Sequence, residues 1–187
     1  MSMRTLMITV GVVVFFVMAI ISVQPFGIKN SRATGAGGQS ADKDNQELAR
    51  LYQEDQSDRA PEENIDWQVV GPRDKTREAR VKALCNADML NTGADYYHAA
   101  MVLQHAGAPE DYLLAHELCV VAIAKGNQDA KWLAAATEDR FLMSIGRPQR
   151  FGTQYQADGP HADFNLYQME KGVTAGMRTA LDVPPPK

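Results

Sequence analysis

Cysteine is scarce in this chain: Cys85 and Cys119 are the whole complement, and neither belongs to a C-x-x-C pair. That excludes zinc ribbons, thioredoxin-type redox motifs and a small disulfide framework. Both lie in apolar helical patterns, which favours two buried thiols over a disulfide stapling two helices. A basic stripe is missing as well. The net charge is −4, and the acids crowd into residues 41–66. There Asp42, Asp44, Glu47, Glu54, Asp55, Asp58, Glu62, Glu63 and Asp66 face only Lys43, Arg50 and Arg59. Nucleic acid therefore finds no electrostatic footprint. No H-E-x-x-H, G-x-S-x-G, Walker or Rossmann fingerprint occurs, so the sequence names no reaction and calls for no cofactor. Metal chemistry is disfavoured too, because His98 and His105, seven residues apart on one helix face, stand roughly 10 Å from each other.

Charge is also missing from Leu6 to Val23, an eighteen-residue apolar run with Thr9 and Ser22 as its weakly polar members. A run of that length spans a bilayer as a helix. A cleaved signal peptide would have a shorter apolar core and a small-x-small site close behind it, where Gln24, Pro25, Phe26 and Gly27 stand instead. Residues 1–28 are therefore expected to be an uncleaved, single-pass transmembrane anchor, with a cleaved signal as the alternative. Arg4 and the free amine balance Lys29 and Arg32 across the run, so positive charge does not set the orientation. A short N-terminal tail kept in the cytoplasm would place the folded part outside, at the cell envelope. Residues 29–44, small, polar and glycine-containing, have the composition of a flexible tether.

Residues 45–187 are expected to form an all-α domain. Leu48, Leu51 and Tyr52 mark a short amphipathic helix from Asn45 to Gln56, and Ala60-Pro61 ends it. Gly71-Pro72 opens a second helix that runs to about Leu90, with Val81, Leu84, Cys85 and Met89 on one face. A third spans about Asp95 to Ala106, a fourth opens at Pro109 and ends at Gly126, and a fifth, capped by Asn127 or Asp129, ends at Gly146. The short connections force antiparallel helical hairpins. A 35-residue shift lays Ala99-Ala100 on Ala134-Ala135, Gln104 on Asp139 and His105 on Arg140. That period suits a tetratricopeptide-like repeat, although two alanine-rich helices of an orthogonal bundle would align as well. No strand pattern competes. Residues 151–163 read as a long loop, and a last helix is expected from Thr174 to Leu181.

Polar side chains inside this apolar pattern are the candidate site. On a helical wheel Asp139 shares a face with Trp132, Ala135, Ala136, Leu142 and Met143, so it points into the core and needs a partner there. Arg140 is turned about 100° away, which leaves Arg147 and Arg150 downstream, or Arg59 and Arg77 upstream, as candidate cations. A structural ion pair and a ligand-binding carboxylate both satisfy that pattern. In the loop Gly146–Gln154, the side chains of Arg147, Gln149, Arg150, Thr153 and Gln154 suit a carboxylate, a phosphate or a peptide backbone, or else a clasp on helix-end carbonyls. His116 falls among Tyr112, Cys119, Val120 and Ile123, as a hydrogen-bonded core histidine would.

The stretches DYYHAAMVLQHAGAPEDYLLAHELCVVA and WLAAATEDRFLMSIGRPQRFGTQY resemble an uncharacterised bacterial domain family. Its pattern is Ala-Ala-x-x-x-Gln-His, then Asp-Arg, then Gly-x-Pro-Gln-x-aromatic-Gly-Thr-Gln. Here these are Ala99, Ala100, Gln104, His105, Asp139, Arg140, Gly146, Pro148, Gln149, Phe151, Gly152, Thr153 and Gln154. The likeness extends upstream through Asp55–Arg59 and Arg73–Arg77. The family's usual glycine after Gln-His is Ala106 here, and its loop tyrosine is Phe151, so no phenol is needed at that place. The resemblance implies a helical domain, secreted or membrane-tethered, and no reaction. Two functions follow as expectations. One is a tethered binding module presenting Gln104, His105, Asp139, Arg140, Arg147, Gln149, Arg150 and Gln154 to a protein or peptide. The other is a hydrolase or transferase with His105 or Asp139 as general base and a loop arginine holding an anion.

Overall fold

The computed structural model describes residues 43–60, 65–156 and 164–186. The anchor expected over residues 1–28, and the tether up to residue 42, lie outside the described residues. Among the described residues no helix is long and apolar enough to cross a membrane. The elements follow in the order α1 (Gln46–Arg59), α2 (Trp67–Asn86), α3 (Gly93–Leu103), α4 (Pro109–Ala124), α5 (Ala130–Ser144), β1 (Tyr155–Gln156), β2 (Asn165–Leu166) and α6 (Ala175–Ala180). The described chain is thus mostly helical, as the periodicity requires.

Helix α1 starts where Asn45 Oδ1 accepts the Glu47 and Leu48 amides, and it buries Leu48, Leu51, Asp55 and Arg59 along one face. Glu47 pairs with Arg80, Asp58 with Arg73 and Arg59 with Asp74, so α2 runs back along α1 as an antiparallel hairpin. Helix α2 begins one turn before Gly71-Pro72 because Asp66 caps the Gln68 amide. Pro72 then sits inside the helix, where its missing N–H removes one bond without ending the run. Met89, expected on the core face, lies beyond the helix end and is exposed, while Leu90 turns inward. Helix α3 starts earlier than expected. Thr92 and Asp95 form a capping box, and the buried Asp95 carboxylate also accepts the Asn45 amide at 2.7 Å, which joins the starts of α1 and α3.

The centre is α4, which packs along both α3 and α5 while those two barely touch each other. Ala99, Ala100, Ala115, Ala122 and Ala134 are buried at these contacts and let the backbones come close, with Leu103 and Leu133 filling the space between. Each fully buried leucine contributes about 1.5–3 kcal/mol. Gly93 marks the closest approach: a Cβ there would lie 3.0 Å from the Asn127 Cβ and 3.2 Å from the Ala122 carbonyl oxygen. Cys85 and Cys119 are both free thiols, and burial pushes Cys119 up to about 12.

The segment after α5 departs from the expected plain loop. Tyr155 and Gln156 pair antiparallel with Leu166 and Asn165, and Gln149 bridges to Met169. These strands are too short for a period of two to show in the sequence. Helix α6 follows, with Thr174 Oγ1 accepting the Met177 amide.

Four helices end in the same way, with paired 6→1 and 5→2 hydrogen bonds around one left-handed residue. Gly126 and Gly146 hold that place after α4 and α5, whereas Asp88 and Asp182, both at φ 55, hold it after α2 and α6. An aspartate tolerates this conformation less well than glycine. Asp88 is exposed and its side chain caps nothing, so Asp88→Gly is expected to stabilise the fold by about 0.5–1 kcal/mol, read as a raised urea midpoint. A lowered midpoint would contradict this account of the α2 terminus.

Candidate functional site

The eight residues singled out from the sequence divide among three places. The first is a clasp at the end of α5. After Gly146 the chain turns back along the helix, and the fully buried Asp139 carboxylate collects it. Oδ1 accepts the Arg150 and Phe151 amides at 2.6 and 2.8 Å; Oδ2 accepts the Thr153 amide at 3.0 Å and its hydroxyl at 2.8 Å. The partner of Asp139 is therefore a ring of loop donors rather than the arginine expected. Three amides and a hydroxyl satisfy both oxygens, so no cation is required at that point.

Gln149 and Gln154 belong to the same clasp. The Gln149 amide nitrogen donates to the Gln154 and Tyr167 carbonyls at 3.0 and 2.9 Å, and its oxygen accepts the Gln154 amide at 2.9 Å. Phe151 drops into a small apolar cluster with Ala135, Trp132, Val173, Leu181 and Val183. Arg178 of α6 donates to the Phe151 carbonyl and reaches Met169 Sδ at 3.8 Å. Gly152, at φ +70, has no room for a Cβ, which would lie 2.9 Å from Met169 Sδ. The motif Gly-x-Pro-Gln-x-aromatic-Gly-Thr-Gln is thus a folding unit: its inward-facing members hold one another.

The second place is a buried ionic joint where α1 and α2 meet the end of α3 and α5. Gln104, His105 and Arg140 lie here, with five residues the sequence reading did not assemble: Asp55, Asp58, Arg59, Asp74 and Arg77. Asp55 Oδ1 receives Arg59 at 2.8 Å, and its Oδ2 receives Gln56 at 2.8 Å and stands 3.6 Å from His105 Nε2. Arg59 continues to Asp74 at 2.7 Å, and Arg77 binds Asp58 at 2.7 Å and Asp74 at 2.6 Å. Arg140 Nη1 approaches the Gln104 carbonyl at 3.4 Å. The spacing of Leu48, Leu51, Asp55 and Arg59 was the available signal: one helix face turns from apolar to ionic, with a favourable i,i+4 pair.

Burial governs the electrostatics of this joint. It pushes the Asp55 carboxyl up to about 7 against the pull of Arg59. It holds the His105 ring well below the usual imidazole range, with repulsion from Arg59, Arg140 and Arg77 acting in the same direction. Burial also brings Arg140 down to about 10, where Tyr112 favours its charge and Arg59 opposes it. His105 and Asp139 are not brought together as a catalytic pair. His105 faces Asp55, and both Asp139 oxygens are committed to the clasp.

The third place is an open groove of about 500 Å³ between α4, α5 and the clasp loop. Leu113, Phe141 and Leu142 supply apolar lining, and the charged lining is Glu138, Arg147, Arg150, Glu170 and Lys171. Arg147 forks onto Glu170 at 2.8 and 2.9 Å, and Arg150 meets Glu138 at 2.9 Å. His116, also in the lining, has Nδ1 2.9 Å from the Ala134 carbonyl oxygen. A carbonyl only accepts, so Nδ1 carries the hydrogen, and in the neutral ring Nε2 is an acceptor. The Gly146–Gln154 loop therefore does two things: Gln149, Phe151 and Gln154 seal the interior, while Arg147 and Arg150 build a wall outside. Among the described residues no group of three or more His, Cys, Asp or Glu is arranged to hold a metal ion.

No family model, curated protein or solved structure matches this chain.

Asp139→Asn keeps the shape but turns an N–H₂ group toward donors that need an acceptor. The expected loss is about 3 kcal/mol or more in urea unfolding, the range for a buried charge-assisted network. Hydrogen exchange should accelerate first over residues 147–156 and in α6. A melting curve unchanged from the unsubstituted chain would mean that the clasp does not depend on this carboxylate.

Proposed function

We propose that this chain is a membrane-tethered helical interaction domain acting at the cell envelope, and that a peptide segment of a protein partner lies in the groove between α4, α5 and the clasp loop. The observation carrying this reading is the two-sided loop: Arg147 and Arg150 stand at the groove on a backbone that Asp139 and Gln149 hold from within. A wall so fixed loses little freedom when a partner binds, which is the condition for affinity from a modest contact area. Apolar residues framed by charged pairs match the anatomy of protein interfaces. Leu113 and Ile145 are exposed beside Phe141. Helices α3, α4 and α5 follow one another as antiparallel neighbours with α4 between the other two, which favours a helical bundle over stacked tetratricopeptide-like hairpins, and the groove opens on the α4–α5 side. The tether and anchor, expected from residues 1–44, would hold the module at the membrane.

A hydrolase or transferase built on His105 and Asp139 gains no support, because their partners lie in separate places and neither faces the groove.

Photo-crosslinking in native membranes tests the binding reading, with the photoreactive residue placed at Leu113 in the full chain. A discrete protein adduct is expected, weakened by about tenfold in Phe141→Ala, the effect of losing an ordinary interfacial anchor. The same label at Gln128, on the exposed α4–α5 connection, is the control. Equal adducts from both positions would overturn the groove as the binding site.

A further inference from the structure

The joint between the α1–α2 hairpin and the rest of the helices contains a pair of titratable groups that the proposed groove does not use. Asp55 and His105 stand 3.6 Å apart and nearly sealed from solvent. Every element around them contributes charge or a polar group. From α1 come Gln56, Asp58 and Arg59, from α2 Asp74 and Arg77, from the end of α3 Gln104, and from α5 Arg140. Arg59, Arg77 and Arg140 balance Asp55, Asp58 and Asp74. A proton placed on His105 would add a fourth cation to three guanidiniums at a buried place, where like charges repel more strongly than at the surface. A proton placed on Asp55 removes a buried anion, and Arg59 retains Asp74 as its partner.

We propose that Asp55 and His105 act as one titrating unit whose single proton sits on the carboxyl, and that this unit keeps the joint closed without change of stability as the surroundings turn acidic. The physical reason is an exchange of sites. In an opened chain the ring takes a proton near its ordinary 6.5 and the carboxyl only near 3.8. In the closed joint the order is reversed, because the carboxyl is raised and the ring depressed. Between about pH 5 and 6 each state therefore holds close to one proton, and nearly equal proton counts mean almost no slope of stability with pH. Taken separately, the two groups have opposite signs. The raised Asp55 strengthens closure as pH falls from about 7 to 4, and the depressed His105 weakens it as pH falls below about 6.5.

Hydrogen exchange on the full chain in detergent micelles, corrected for intrinsic rates, separates these contributions. Protection of α1 and α2 is expected to stay within about threefold between pH 6.5 and 4.5 in the unsubstituted protein. Relative to it, Asp55→Asn should lose about tenfold in protection per pH unit on acidification, and His105→Gln should gain about tenfold per unit, one proton's worth in each case. Shifts of both variants in the same direction, or a tenfold loss per unit in the unsubstituted chain, would overturn the proposal. A readout without substitution guards against a variant that fails to fold. Carbon-13 and nitrogen-15 signals of Asp55 and His105 near pH 5.5 should report a protonated carboxyl beside a neutral ring, and an imidazolium beside a carboxylate would refute it.

Discussion

The Asp139 carboxylate is the contact on which the C-terminal third of the structure depends. A buried anion must be compensated, and this one is compensated by the backbone of residues 150–153 together with one hydroxyl. That choice has structural consequences an ion pair would not have. A guanidinium on a long stem leaves the chain that carries it several degrees of freedom, whereas amides at hydrogen-bond distance fix the path of the chain itself. Once the path is set, Phe151 points into the cluster with Val183, Gln149 reaches the β-ribbon, and Arg178 brings α6 onto the Phe151 carbonyl. The groove outside is a product of the same constraint, since Arg147 and Arg150 flank the residues held within.

Buried carboxylates serve two different purposes here. Asp95 and Asp139 gather backbone amides and act as local organisers: one joins the starts of α1 and α3, and the other closes the loop after α5. Asp55 instead faces the Arg59 guanidinium one turn along its own helix, together with the Arg77 guanidinium and the His105 imidazole from other parts of the chain. The difference matters because amides do not titrate, while a side-chain cluster redistributes protons when its surroundings change. The α1–α2 hairpin thus meets the other helices through an apolar half around Leu48, Leu51, Val81 and Leu84 and an ionic half around Asp55 and Arg77. Apolar packing supplies the driving force for this contact, and the ionic half constrains its geometry.

For function, the outcome is a separation of roles within one motif. Gln149, Gln154 and Asp139 fitted either a ligand site or a structural clasp from the sequence, and the folded chain uses them as the clasp that holds the wall of the groove. The exposed members, Arg147 and Arg150, are each matched to a glutamate, so the groove offers paired charges around an apolar lining. Such a surface suits a polypeptide, whose backbone and mixed side chains tolerate both signs, better than a small ion that would need one.

The sequence by itself determined the helices and most of their ends. The apolar spacing in α1, the Pro109 start, the Gly126 and Gly146 stops and the Thr174 to Leu181 helix are all local signals, because capping and backbone conformation act within a turn or two. The inward direction of Asp139 was legible for the same reason, as a matter of helical angle. The identity of its partners was not, and neither was the ionic joint, where Asp55 and His105 lie 50 residues apart in the chain. Two-residue strands left no pattern to read, and the two faces of the clasp loop depend on which amides arrive at one carboxylate. Those features belong to tertiary structure because compensation of a buried charge is decided by the groups that packing brings within about 3 Å of it, and periodicity does not record them.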